Sequence, residues 1–340
     1  MNDFEDLRIY LLKDDLDALK LIVEDRPAGN LKHRHLQLLK VLLDAGANTG
    51  IFDNYETGPL EEAIVNKDEE CISFLLKNGA AVNRAGAMFG WKATPLHFAC
   101  CRGTEGIVRK FLESGGDPNG RAEDNKTPLH VAADERNAEF VQLLLKYGAK
   151  VDAVDNNEAT PLHQVRTLDC AKLLIDHGAD ATAITKDGKS VLFKASDRCG
   201  EGACVQFLID HGADPLKVDQ KGRSPLDLAV DRWYSNSSYD RDDGGLATVK
   251  VLLRYGAKLK ETDYTLHKAI AGRRLGLAFA LLELGITDVN AKDVKGSTTL
   301  FLTAQTNFTA AVEMLIEKGA DPHLKCRNMT PLDIALLKGM

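Results

Sequence analysis

A short helix that runs into glycine recurs nine times along this chain, about 33 residues apart, and that self-similarity limits the possible folds more than any single motif does. The copies read LLDAGAN, LLKNGAA, FLESGGD, LLKYGAK, LIDHGAD twice, LLRYGAK, LLELGIT and LIEKGAD, and they close at Gly46, Gly79, Gly115, Gly148, Gly178, Gly212, Gly256, Gly285 and Gly319. A second pattern alternates with the first. It reads GPLEEAI at 58–64, TPLHFAC at 94–100, TPLHVAA at 127–133 and TPLHQV at 160–165, then decays through SVLFKAS, SPLDLAV, YTLHKAI and TTLFLTA to TPLDIAL at 330–336. A helix pair of this size cannot bury its own apolar face, so each unit must stack on its neighbours.

The residue types account for the pattern. Pro fits the first helical turn, where its missing N–H has no partner to lose, and the Thr before it caps. The Gly after the second helix supplies a left-handed residue that stops it, and a hairpin then opens the next unit.

These paired motifs resemble the ankyrin repeat, and the resemblance covers nearly the whole chain. It implies an all-α solenoid with β-hairpin fingers, a stack of about ten units. It also implies that His97, His130, His163 and His267, one per repeat, hydrogen-bond within and between hairpin and helix rather than catalyse. Asn83, Asn119 and Asn290 close the stretch from Gly to hairpin. They resemble sites that an asparaginyl hydroxylase modifies, with structural hydrogen bonding as the default.

Residues 1–26 read as a capping pair of amphipathic helices, and residues 27–340 as the solenoid. The last unit is incomplete after TPLDIALLKGM, which leaves Leu332, Ile334 and Ala335 underprotected and suggests a fragment or a covered end. Regular units place 20 residues from the Pro position to the closing Gly and 13 from that Gly to the next Pro position. From Pro161 to Gly178 there are only 17, which places a three-residue loss in the turn between helices. From Pro225 to Gly256 there are 31, which places an inserted inter-helix loop at 231–247, with Trp233 and Tyr234 inside it. The next finger, from Gly256 to Thr265, is four residues short, and a change of curvature is expected there. The finger after Gly79 is three residues longer than the rest and carries Phe89 and Trp91, one layer from Tyr55. Its aromatics either pack on neighbouring fingers or meet a partner.

Composition narrows function. With 44% apolar and 27% charged residues the chain can fold, and a net charge of -7 argues against nucleic acid, which selects clustered Lys and Arg. No secretory signal or membrane-spanning run is visible, so direct membrane insertion is not expected. Seven scattered cysteines fit a reducing, cytoplasmic setting, with the nucleus or a host cell's cytosol as alternatives. Cys199 and Cys204 lack the second pair that a zinc site needs, so neither metal nor cofactor is expected. No phosphate-binding glycine loop, nucleophile elbow or HExxH helix is present, which argues against an enzyme.

The expected function is a noncatalytic scaffold or adaptor, monomeric alone, that binds a protein or extended peptide on its concave finger and helix face. The alternative is the substrate-recognition region of a larger protein, such as a ubiquitin-ligase adaptor, or a microbial effector acting in host cells. The candidate contacts are Tyr55, Phe89, Trp91, Arg102, Asp134, Asp187, Arg198, Lys221, Arg223, Arg232, Trp233 and Tyr234, with Lys295 and Arg327 among the finger positions.

Overall fold

The computed structural model describes residues 58–88, 90–199, 202–235, 243–259, 264–283 and 288–339, together with Thr49. The capping segment at 1–26, Gly46, Gly285 and residues 260–263 of the short finger therefore lie outside the described residues. The chain divides into two compact units, Met1–Lys186 and Asp187–Met340.

In the first unit, helices α1 (Pro59–Val65), α2 (Glu69–Lys77), α3 (Pro95–Arg102), α4 (Glu105–Glu113), α5 (Pro128–Asp134), α6 (Ala138–Lys146) and α7 (Leu168–Asp176) alternate as first and second members of successive pairs. First helices α1, α3 and α5 pack in one row, and second helices α2, α4, α6 and α7 pack in another. The core lies between the rows, where Ile64, Ile72, Leu96, Ile107, Phe111, Leu129 and Leu144 are fully buried. The second unit repeats the plan. Its first helices are α8 (Val191–Arg198), α10 (Pro225–Ser235), α12 (Thr265–Ala271), α14 (Thr299–Thr306) and α16 (Pro331–Leu337), and its second helices are α9 (Gly202–Asp210), α11 (Asp243–Arg254), α13 (Leu275–Glu283) and α15 (Thr309–Glu317).

Where the closing glycine is among the described residues, the second helix ends as that glycine requires. Gly115 has φ +86°, and the Gly116 N–H reaches back to the Phe111 carbonyl at 2.8 Å, which pairs a carbonyl that helix termini otherwise leave open. The same backbone bond closes α6, from Ala149 to Leu144, and α15, from Ala320 to Leu315.

The fingers are mostly tight turns. The long finger at 86–93 alone, among the described residues, forms a two-stranded ladder, β1 (Gly86–Met88) with β2 (Trp91–Ala93), pairing Gly86 with Ala93 and Met88 with Trp91. Elsewhere an Asp folds the turn. The Asp155, Asp219 and Asp293 carboxylates each accept two backbone N–H groups, those of residues two and four positions on. Successive fingers are joined edge to edge, with Glu123 N–H donating to the Lys92 carbonyl at 2.8 Å and Asn156 N–H to Asp124 at 3.1 Å.

Two sequence expectations need correction. The loss between Pro161 and Gly178 falls in the first helix, not in the turn: residues Pro161–Gln164 form a single 3₁₀ turn, and the Thr167 cap follows after two residues. With three residues gone, only one turn fits between the Pro position and the cap. The insert at 231–247 is also shorter as a loop than expected, because α10 continues to Ser235 and α11 starts at Asp243. The remaining 236–242 lie outside the described residues.

Two glycines test how the stack is built. Gly148 has φ +85° with open space where a Cβ would stand, so Gly148→Ala should cost only backbone strain, about 1 kcal/mol. Gly202 abuts Ala247 of α11, whose backbone and Cβ lie 2.8 Å from a built Cβ, so Gly202→Ala forces two second helices apart and should cost about 1–3 kcal/mol. Urea unfolding of the two variants measures both, and equal losses would contradict the close approach at Gly202.

Candidate interaction surface

The side chains that recur from repeat to repeat are spent on holding the stack. At the start of α3 the Thr94 N–H donates to His97 Nδ1 at 3.3 Å, and the Thr94 hydroxyl lies 2.8 Å from the same nitrogen. That leaves Nε2 as the ring donor, and it bonds the Lys126 carbonyl of the next finger at 3.0 Å. His130 repeats the arrangement with Thr127 and the Ala159 carbonyl, and His267 reaches the Ser297 carbonyl. His163 keeps the contact to Thr160. Burial pushes the imidazoles of His97 and His130 down to about 4, so they are neutral struts at ordinary pH.

Asn83 bridges repeats from the other side. Its amide donates to the Gly115 carbonyl at 3.0 Å and its carbonyl accepts from the Asp117 N–H at 2.7 Å. Asn119 makes the same double bond to Gly148 and Lys150, and Asn290 to Gly319 and Asp321. Asp152 takes that place in the following unit, where it accepts from the Asp180 N–H at 3.2 Å but has no amide with which to donate.

Glu61 stands where the next units carry His. It is 1% exposed, and its carboxylate accepts the Gly58 N–H at 3.2 Å. Burial raises its carboxyl to about 7 against the opposing pull of backbone hydrogen bonds and Arg84.

The expected contact residues divide into structural and exposed groups. Trp91 is half-buried, packs edge-on against His97 and Phe98 with ring centroids 5.6 Å away in each case, and donates to the Asp124 side chain of the next finger. Asp134 pairs with Arg166 at 2.7 Å, and Asp187 pairs with Lys189. Arg223 holds the buried Asp219 with two bonds of 3.0 and 2.8 Å and lies over the Phe193 ring. These side chains buttress fingers and first helices. Arg102 and Lys221 are exposed and Arg198 is half-buried. Arg102 lines a cavity of about 490 Å³ with Lys67, Cys101 and Glu135, which Trp91 does not join. Tyr55 and Phe89 lie outside the described residues, as do the side chains of Arg232, Trp233 and Tyr234 on α10.

Sequence reasoning passed over an apolar groove in the second unit. It has a volume of about 440 Å³ and runs between the fingers at 293–297 and 326–329 and the open ends of α12 and α14, past Lys268, Val294, Leu302 and Met329. Lys268 and Leu302 lie inside the YTLHKAI and TTLFLTA copies, at the helix position after His or its replacement, where the residue changes from copy to copy. Cys199 and Cys204, with sulfurs 3.0 Å apart, are both buried, and all seven cysteines are thiols. Among the described residues no cluster of three His, Cys, Asp or Glu side chains is arranged to hold a metal, and no helix is long and apolar enough to cross a membrane.

A stack of helix pairs closed by left-handed glycines, with capped Thr-Pro-Leu-His starts and fingers on one edge, is a repeat protein of the ankyrin class, and the comparison with known families agrees. The pattern described as "Ankyrin repeats (3 copies)" matches residues 85–155 and 163–263, just over half of the sequence, and the chain belongs to the ankyrin-repeat family. Ankyrin repeats are in general protein-binding modules. Among curated proteins the chain is similar to neurogenic locus notch homolog protein 1 of Danio rerio, 33% identical over 123 residues, and to neurogenic locus notch homolog protein 2 of Homo sapiens, 35% identical over 119 residues. The matches cover 36% and 35% of this chain but only 5% of each relative. Among solved structures it is similar to the ankyrin repeat domain of Bcl-3, described as a unique member of the IkappaB protein family. That likeness has a TM-score of 0.51 and 30% identity, covering 63% of this chain and 93% of that one.

Stability should depend on pH in two opposite ways. His97 and His130 have lowered pKa values, so the unfolded chain takes up protons first. Their contribution is complete above about 6.5 and is lost as pH falls toward 4, on the order of 3 kcal/mol for each. Glu61 has a raised pKa, so its contribution is complete below about 4.5 and is lost as pH rises through 7. Glu61→Gln should therefore raise the thermal midpoint at pH 8 and leave the acid limb unchanged, and a thermal-melt series from pH 4 to 8 on both proteins reads this. A midpoint that does not fall below pH 6 would remove the buried-imidazole account.

Proposed function

We propose that this chain is a noncatalytic scaffold or adaptor that holds a protein or an extended peptide against its fingers and the open ends of its first helices. One observation carries the reading. The recurrent Thr, His and Asn side chains are consumed in bonds within and between repeats, whereas Arg102, Lys221, Lys268, Lys295 and Arg327, at positions whose residue varies along the chain, stand exposed on fingers and first helices. Variation placed on a rigid scaffold is how a repeat array gains partner specificity without changing its core.

Family membership supports the same reading, as ankyrin-repeat proteins typically serve as interaction domains rather than as catalysts. The seven thiols are compatible with work in a reducing, cytoplasmic interior. A second reading draws on the curated relatives, in which the matched stretch is 5% of the protein. There the repeats are one part of a much longer chain, and this stack can likewise serve as the recognition part of a larger assembly.

Site-specific photo-crosslinking tests the face. A crosslinking amino acid at Arg102 or Lys221 should capture partner protein in cells, whereas the same group at Glu139 or Glu313, exposed on second helices, should capture little. Capture confined to the second helices would place the partner on the other side and end the proposal.

A further inference from the structure

The second unit carries a charge asymmetry that points to the chemistry of one ligand. Between 264 and 339 every described carboxylate is accounted for away from the groove or by backbone bonds. Glu283, Glu313 and Glu317 lie on second helices. The Asp288, Asp321 and Asp333 carboxylates accept the N–H groups of Asn290, His323 and Thr330, each at 2.8 Å. Among the described residues the one acid lining the groove is Asp293, which is half-buried and whose Oδ1 accepts the N–H groups of Lys295 and Ser297 at 2.8 Å within its own turn.

Among the described residues, the exposed charged side chains that line the groove are cationic. Lys268 on α12, Lys295 on one finger and Arg327 on the next are all exposed and line the same 440 Å³ space. In a chain of net charge -7 such a grouping stands against the overall balance. Between these cations lie apolar surfaces. Val294, 81% exposed, projects from its finger, and Leu302 and Met329 are half-buried along the groove. Exposed apolar side chains set among cations suit a polypeptide whose acidic and apolar side chains alternate. In an extended strand such side chains alternate between the two sides, so one segment offers both kinds to a groove that holds cations and apolar surface. A phosphate backbone would use the cations and leave Val294 and Met329 without a partner.

We propose that this groove, formed by α12, α14 and the fingers at 292–297 and 325–329, binds an extended acidic peptide segment bearing apolar side chains. The proposal rests on the finger and first-helix face being the partner face, and it assigns that face a ligand chemistry at one place.

The test uses fluorescence polarisation of the full chain with three labelled probes: a ten-residue peptide alternating Glu with Leu, the same peptide with Lys for Glu, and a single-stranded ten-mer of thymidylate. The acidic peptide should bind, and the Lys peptide should bind at least tenfold more weakly. Raising the salt from about 0.05 to 0.5 M should weaken the acidic peptide severalfold, as expected for exposed ion pairs. Lys268→Glu with Arg327→Glu should lower its affinity about tenfold or more. Val294→Ser should lower it severalfold with no change in salt dependence. Lys146→Glu, exposed on second helix α6 and outside the groove, should leave it unchanged, and circular dichroism of every variant confirms the fold.

Equal binding of the acidic and Lys peptides, or no binding of either, would overturn the proposal. Binding of the oligonucleotide with the same dependence on Lys268 and Arg327 would overturn it in favour of a nucleic-acid groove. The two readings fail separately. If crosslinks still map to Arg102 and Lys221 while the acidic peptide does not bind, only this groove assignment falls. If crosslinks map to the second helices, the face itself is wrong.

Discussion

The bond from a buried imidazole to the carbonyl of the next finger is the interaction on which the rest of this architecture leans. His97 is held by Thr94 on one nitrogen and holds the Lys126 carbonyl with the other, so a single side chain ties a helix start to its own cap and to the following repeat. A helix pair of about 33 residues has too little interior to close a core by itself, and bonds of this kind fix how one pair sits on the next. The Asn bridges act at the opposite end of the unit, from Asn83 to Gly115 and Asp117, and together the two sets fix both ends of a repeat against its neighbour.

Because those positions are occupied by architecture, specificity has to be written elsewhere. Fingers and first-helix ends project past the bonded layer, so their side chains change without loosening the stack. Not every conspicuous side chain there is available, however. Trp91 is engaged by His97, Phe98 and Asp124, and Arg223 by Asp219 and Phe193. The recognition chemistry proposed above lies at less conspicuous residues, in the groove beside Lys268 and Val294.

The two titrating types of buried group pull in opposite directions for one reason. Burial disfavours whichever form is charged, and that form is the acid of an imidazole pair but the base of a carboxyl pair. Glu61 therefore works as a cap only at the cost of an elevated pKa, while His97 and His130 in the matching position remain neutral near pH 7.

Much of the fold was legible in the order of residues. Thr-Pro-Leu-His and the glycine after each second helix act through local backbone geometry, so their spacing is enough to place the helices and the left-handed stops at Gly115 and Gly148, whereas the structural role of His97 and His130 follows from the resemblance to the ankyrin repeat. Position within an irregular unit was not legible in the same way. A count from Pro161 to Gly178 reveals that three residues are missing but not which element loses them, and only the packing of that pair shows that the first helix gives way to a 3₁₀ turn. The same limit applies to recognition. Sequence marks Trp91 and Arg223 as candidates by type, but whether a side chain faces a partner or props up a finger depends on local packing and also on groups about 30 residues away, Asp124 for Trp91 and Phe193 for Arg223, which come close only once the repeats have stacked. The cationic groove is the clearest case: Lys268, Lys295 and Arg327 are separated by 27 and 32 residues in the chain, and the stack alone brings them to one wall.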